Sequence, residues 1–324
     1  MTLERRTFET VAARLRDAHS VVVGSHVDPD GDAIGSLLGL ARALDGAGVP
    51  CTAVLAQGDT PPATYAFLPD TDRLVSASGV PVPEVFVALD SPDLARLGDA
   101  EPLARSAHTL VVIDHHPDVT VDADLSLVDR HAPATGALIW ELLPHLGVTP
   151  DVAIATCLYA ALLSDTGRFS YSNTSPAALR AAAEMIEAGA HPNDIYTAIY
   201  ETRSPGAQAL IGRTLERITM ANGGYVAYSW VTATDFGETG ALPEESENLI
   251  DHVRTLRGVR AVFIAKVNGS TIRVSLRAKD DTDVSAVARA FGGGGHVAAA
   301  GFTYTGNLAS LLEELLPMLP RHAR

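Results

Sequence analysis

Along the chain, short continuous apolar runs alternate with stretches in which apolar residues recur every three or four positions. Phe8, Val11, Ala12 and Leu15 follow the second rhythm and predict an amphipathic helix over 7–18. The run 20–25 predicts a buried strand, followed by a helix over 33–46 that ends where Gly46 and Gly48 appear. Further strands are predicted at 51–55, 85–89 and 109–113. Helices are predicted at 134–146, 151–163 and 175–188, the last started by Ser175-Pro176. Strands alternating with helices predict a parallel α/β sheet.

The pattern changes after 191–208, a mixed and polar segment with Pro192, Pro205 and Gly206 that reads as a connection. Beyond it come a strand at 224–231, a helix at 244–256 and a strand at 259–267. A hairpin partner at 270–276 follows across Asn268-Gly269, a strong turn signal. Helices at 283–290 and 308–319 complete the reading. The expected fold class is α/β, with a parallel-sheet domain over 1–190 and a smaller mixed-sheet domain over 209–324. An active-site cleft is expected between them.

Composition narrows the function classes. The formal charge of −15, from 24 basic and 39 acidic residues, argues against a surface that tracks long nucleic acid. A short anionic substrate held through metals and a few arginines is compatible with it. No apolar run reaches the roughly 20 residues of a membrane helix, and the first sixteen residues lack a signal-type apolar stretch. A cytoplasmic protein without membrane contact is expected. Cys51 and Cys157 lie in apolar contexts, which suits buried reduced thiols. His19, His108, His131, His145, His191, His252 and His322 have no partnering pattern and read as surface or packing residues.

Three predicted strands run straight into acidic or imidazole side chains. The first enters Ser25-His26-Val27-Asp28-Pro29-Asp30-Gly31-Asp32, the third enters Asp90, and the fourth enters Asp114-His115-His116-Pro117. Asp165 ends the strongly apolar helix at 151–163. In parallel sheets ligands bind beyond the carboxyl ends of strands, so these groups are expected to converge. Carboxylates crowded together need a cation, and this oxygen and imidazole set suits manganese, with magnesium, cobalt or zinc as competitors. There are enough ligands for two ions, a number suited to in-line phosphoryl chemistry.

The order His26-Val27-Asp28-Pro29-Asp30-Gly31-Asp32, then Asp90, then Asp114-His115-His116, then Asp165 resembles the DHH phosphoesterase superfamily. The segment Gly292 to His296 with Ala299-Ala300-Gly301 looks like its DHH-associated C-terminal domain. Within that superfamily the compact chain most resembles the nanoRNase group. The resemblance implies that His26 and Asp30 hold one Mn2+ and that Asp32, His115 and Asp165 hold another, with Asp90 bridging. Mg2+ or Co2+ would be substitutes. It further implies that His116 acts on the scissile phosphate and that Asp114 orients a histidine. Asp28, where pyrophosphatases carry Asn, would support the ligands or join them. A homodimer is also implied.

On the substrate side, alternation places Arg273, Ser275 and Arg277 on one strand face, and arginine forks suit terminal phosphates. Gly294, Gly295 and His296 belong to a glycine-rich loop whose N–H groups could cradle phosphate. The implied activity is two-metal hydrolysis of short oligoribonucleotides to nucleoside 5′-monophosphates, and of 3′-phosphoadenosine-5′-phosphate to AMP. The implied partners are short RNA, dinucleotides and phosphorylated nucleotides. The alternatives are a cyclic or linear dinucleotide phosphodiesterase and a nucleotide-sensing module without turnover. A pyrophosphatase would call for a lysine-rich clamp, and this chain has only Lys266 and Lys279.

Overall fold

The computed structural model describes residues 5–246 and 248–321. His322, Glu247 within the predicted 244–256 helix, and residues 1–4 lie outside them. The chain divides into two compact units, Met1–Glu201 and Thr202–Arg324.

In the first unit, six strands form one sheet: β1 (Val21–Gly24), β2 (Cys51–Leu55), β3 (Leu74–Ser76), β4 (Val85–Leu89), β5 (Thr109–Asp114) and β6 (Leu125–Val128). Their spatial order is β3-β2-β1-β4-β5-β6, and every pair is parallel. The order reverses between β1 and β4, the switch point at which such sheets bind ligands. The short β3 and β6 were not foreseen, because Leu74–Ser76 and Leu125–Val128 have only one buried apolar residue each.

Alternation along the strands feeds two cores. Val21, Val23, Val87, Leu89, Val111 and Ile113 face one side, where they pack with α1 (Arg5–Arg16), α2 (Gly31–Gly46), α4 (Thr135–Leu146) and α5 (Val152–Asp165). Val22, Phe86, Ala88 and Val112 face the other, against Leu97 and α3 (Glu101–Ser106). Strands buried on both faces explain the unbroken valine runs. Next come α6 (Pro176–Glu187) and α7 (Pro192–Tyr200).

The segment 191–208 is not a linker throughout. Ile195 and Ile199 of α7 are buried in the first unit, while α8 (Pro205–Glu216) buries Ala207, Leu210 and Ile211 in the second. Within that segment only His191 and residues 201–204 are outside helices. The prolines that read as linker punctuation sit in the first turns of α7 and α8, where a missing N–H costs nothing.

The second unit adds β7 (Thr219–Ala221), β8 (Val226–Thr232), α9 (Ala233–Thr239), α10 (Leu249–Arg254), β9 (Ala261–Asn268), β10 (Thr271–Ala278), α11 (Val284–Ala290), β11 (Gly294–His296), β12 (Ala299–Thr305) and α12 (Leu308–Leu315). Its sheet runs β11-β12-β10-β9-β8-β7 and is mixed: among its described strands β8 and β9 pair in parallel and the other neighbours antiparallel. The predicted hairpin of β9 and β10 forms, with Gly269 at φ +60°. The predicted 244–256 helix is shorter, a single turn at Pro243–Ser246 and then α10, because only Leu249, Ile250 and Val253 offer a buried face. No described helix is long and apolar enough to cross a membrane.

Candidate metal centre

The ends of β1, β4 and β5 deliver the acidic and imidazole groups to one place. Asp30 caps α2, its Oδ1 accepting the N–H groups of Asp32 at 3.0 Å and Ala33 at 3.1 Å. Its second oxygen remains for another partner. Asp32 is fully buried in the first turn of α2 and accepts Thr135 N–H at 2.7 Å, Gly136 N–H at 2.9 Å and the Ser36 hydroxyl at 3.1 Å. Those amides open α4, whose partial positive end suits a carboxylate. Thr135 also donates its hydroxyl to Asp90 at 3.1 Å.

Asp90, directly after β4, holds φ at +51°, a left-handed conformation that costs a non-glycine residue on the order of 1 kcal/mol. Such strain persists only where surroundings impose it. Three sets of donor atoms, each within 4.8 Å of one another, share this residue: His26, Asp30 and Asp90; Asp32, Asp90 and His115; Asp90, Asp114 and His116. Asp90 is thus the residue common to all three sets.

The imidazoles are oriented from behind. His26 Nδ1 donates to Val27 O at 2.7 Å, and His115 Nδ1 donates to Ala132 O at 3.2 Å. Each Nε2 therefore faces carboxylates. His26 Nε2 is 3.5 Å from Asp90, and His115 Nε2 is 3.5 Å from Asp90 and 3.7 Å from both Asp32 and Asp165. His116 Nδ1 donates instead to Asp114 Oδ1 at 2.8 Å, reinforced by its own N–H to the same oxygen at 2.7 Å.

Burial opposes a charge on His26, but the Asp90 hydrogen bond and the Asp30 carboxylate outweigh it and lift its pKa to about 9. His115 rises to about 9 as well, burial being outweighed by Asp165, Asp90 and Asp32. Burial raises Asp165 to about 6 against the pull of His115, and raises Asp32 well above the carboxylate range with Asp90 adding to it. Asp90 moves the other way: burial is overcome by His26, His116 and His115, which hold it ionised. Protons on the two Nε2 atoms are one way to balance these carboxylates. A divalent cation on the same lone pairs is the other, since ligands about 2 Å from one ion sit roughly 3–3.5 Å apart. Hard oxygens and imidazoles, with no thiolate, fit such an ion.

Asp28 is exposed at φ +52° and belongs to none of the three donor sets. Sequence reading missed the supports Ser36, Thr135 and Gly136. Their only signal was Thr-Gly at a helix start.

In the second unit, Ile272, Val274 and Leu276 are buried and turn Arg273, Ser275 and Arg277 to the opposite face. Cross-strand register puts Arg277, Ala299 and His296 in one row and Ser275, Gly301 and Gly294 in the next. Paired residues share a face, so these candidates are gathered together. The expected glycine loop is otherwise: Gly294–His296 is a strand, and the N–H groups of Gly292 and Gly293 already donate to Arg289 O and Ala288 O. A side chain at Gly293 would meet the Gly301 carbonyl at 2.1 Å, so close strand packing, rather than an open phosphate cradle, demands glycine there.

Comparison with known proteins agrees with this architecture. Residues 20–162 match the DHH family, N-terminal domain, and residues 223–319 match the DHHA1 domain. The bifunctional oligoribonuclease and PAP phosphatase NrnA of Thermus thermophilus is 34% identical over 88% of this chain and 84% of its own length. The protein of the same name in Bacillus subtilis is 27% identical over 87% of this chain and 88% of its own. An exopolyphosphatase-related protein from Bacteroides fragilis has the same fold, with a TM-score of 0.89, 23% identity and coverage of 98% and 97%.

Proposed function

The chain belongs to the DHH family, and from that premise we propose that it is a two-metal phosphoesterase that hydrolyses short oligoribonucleotides to nucleoside 5′-monophosphates and 3′-phosphoadenosine-5′-phosphate to AMP. The observation that carries the reading is Asp90, strained and ionised, shared by three sets of donor atoms. Kinship with two proteins named as oligoribonuclease and PAP phosphatase supports the substrate class.

His26 and Asp30 would hold one Mn2+, Asp32, His115 and Asp165 the other, with Asp90 between them. When bound, the ions supply charge stabilisation for phosphoryl oxygens and make water a competent nucleophile near neutral pH. The chain's own part is to hold and move protons. Burial opposes a charge on His116, but its hydrogen bond to Asp114 and the Asp90 carboxylate raise its pKa. With Nδ1 committed to Asp114, His116 gives the proton on Nε2 to the leaving oxygen as the ester P–O bond breaks and a water oxygen bonds to phosphorus. In the second unit, Arg273, Ser275, Arg277 and His296, with backbone at Gly294 and Gly295, form the face proposed to bind the nucleotide's phosphates.

The test is release of AMP from diadenylate and from the adenosine bisphosphate, with cyclic diadenylate alongside. Turnover of the first two with Mn2+, abolished by a chelator, is the expected result. Absence of turnover on both with Mn2+ present, while nucleotide still binds, would make this a sensing module instead. Faster cleavage of the cyclic compound would transfer the assignment to a cyclic dinucleotide phosphodiesterase.

A further inference from the structure

We propose that Asn173 is a positioning residue of the metal centre, clamping the Asp165 carboxylate to the segment that holds Asp32. This rests on the reading of Asp165 as a metal ligand. Immediately after Asp165 the chain reverses through Gly167, Arg168 and Phe169, consecutive residues at φ +54°, +61° and +58°. Two of these are not glycine, and the left-handed backbone is strained for each. Thr166 locks the reversal: its carbonyl accepts Ser170 N–H at 3.1 Å and Tyr171 N–H at 3.0 Å, and its hydroxyl accepts Phe169 N–H at 3.2 Å.

The product of that strained return is the placement of one amide. Asn173 Nδ2 lies 3.0 Å from Pro133 O, 3.1 Å from Asp165 O and 3.2 Å from Asp165 Oδ2. Three oxygens around one nitrogen settle which end of the side chain is the amine. What the strained backbone secures is Asp165 Oδ2, the oxygen 3.7 Å from His115 Nε2.

Pro133 gives the contact its reach. Two residues later Thr135 N–H, and then Gly136 N–H, hold Asp32. One side chain therefore fixes the distance between the end of α5, carrying one carboxylate, and the start of α4, anchoring another. Groups that orient ligands from behind the metal typically change its affinity by roughly 10–100-fold.

The test uses the full chain with Asn173→Ala, and Asn173→Leu to preserve bulk while removing the donor. Mn2+ titration calorimetry on chelator-stripped protein and metal-free melting are measured for each, with Asp165→Ala as the reference. Both Asn173 variants are expected to weaken Mn2+ binding roughly 10–100-fold. They should raise the Mn2+ concentration for half-maximal hydrolysis and leave the KM for diadenylate near wild type. A lower metal-free melting temperature with unchanged Mn2+ affinity would make Asn173 merely structural and overturn the proposal. If Asp165→Ala also leaves Mn2+ affinity unchanged, the metal-centre reading itself fails, a result distinct from failure of Asn173 alone.

Discussion

Asp114 and His116 form one hydrogen-bonded unit. Asp114 is fully buried, and its Oδ1 accepts both the ring and the backbone N–H of His116. The carboxylate charge favours protonated imidazole, the form able to act as an acid. His116→Ala is expected to lower kcat by roughly 10²–10⁴-fold with Mn2+ affinity almost unchanged. Loss of metal binding in that variant would make His116 a ligand instead. Asp114→Asn removes the charge and lowers the His116 pKa, so the basic limb of the rate profile should move to lower pH; an unmoved limb would dissociate the pair. Both were legible as candidates in the sequence because the apolar run 109–113 leads straight into Asp114-His115-His116. Thr135 and Gly136 were not, because they act through backbone N–H groups on Asp32, whose side chain comes from another helix.

At the scale of elements, the centre depends on how closely α2 and α5 approach. A side chain at Gly31 would meet Ser164, one at Gly35 would come 2.4 Å from the Cys157 carbonyl, and one at Gly39 would come 2.5 Å from the Leu158 side chain. The i, i+4, i+8 spacing lines up three glycines toward α5, and the approach brings Asp32 of α2 near Asp165 at the end of α5. Helix 33–46 was predicted from its apolar content, but the glycine stripe carries no hydrophobic signal and its partner is more than 100 residues away. Gly35→Ala provides the check. Alanine improves helix propensity by nearly 1 kcal/mol, so any free space would stabilise the variant. The backbone carbonyl cannot yield as a side chain can, and a net loss of about 1–3 kcal/mol is expected in urea melts, with weakened Mn2+ binding. Gly39→Ala should lose less, because the Leu158 side chain can rotate away. A Gly35→Ala protein as stable as wild type would refute this packing account. The glycine run before His296 failed as a loop prediction for a related reason: local sequence marks freedom, whereas cross-strand packing determined its use.

For the whole molecule, each unit has its own pair of apolar clusters, and with a short link at 201–204 each unit's stability answers to a different perturbation. In the first unit the proposed ions would relieve the acidic cluster, so saturating Mn2+ should stabilise that unit by about 4 kcal/mol at a thousandfold excess over Kd. In the second unit the buried carboxylate is Asp235, and arginines balance it. Nearly inaccessible, it accepts Arg213 at 2.8 Å and Arg217 at 2.5 Å, and caps α9 through Thr232. Arg217, foremost, with Arg213, holds its carboxyl well below the usual range despite burial. A depressed carboxylate pKa adds stability that is complete above the unfolded value of about 3.9 and is lost as pH falls toward the folded one. Asp235→Asn should therefore destabilise at pH 7, by about 2–4 kcal/mol on the scale of broken buried pairs, with the deficit shrinking below about pH 3.9. Calorimetry should resolve two transitions, one lowered by chelator and the other by Asp235→Asn. A single transition displaced equally by both would show that the units fold as one, and the division at residues 201–204 would lose its thermodynamic meaning.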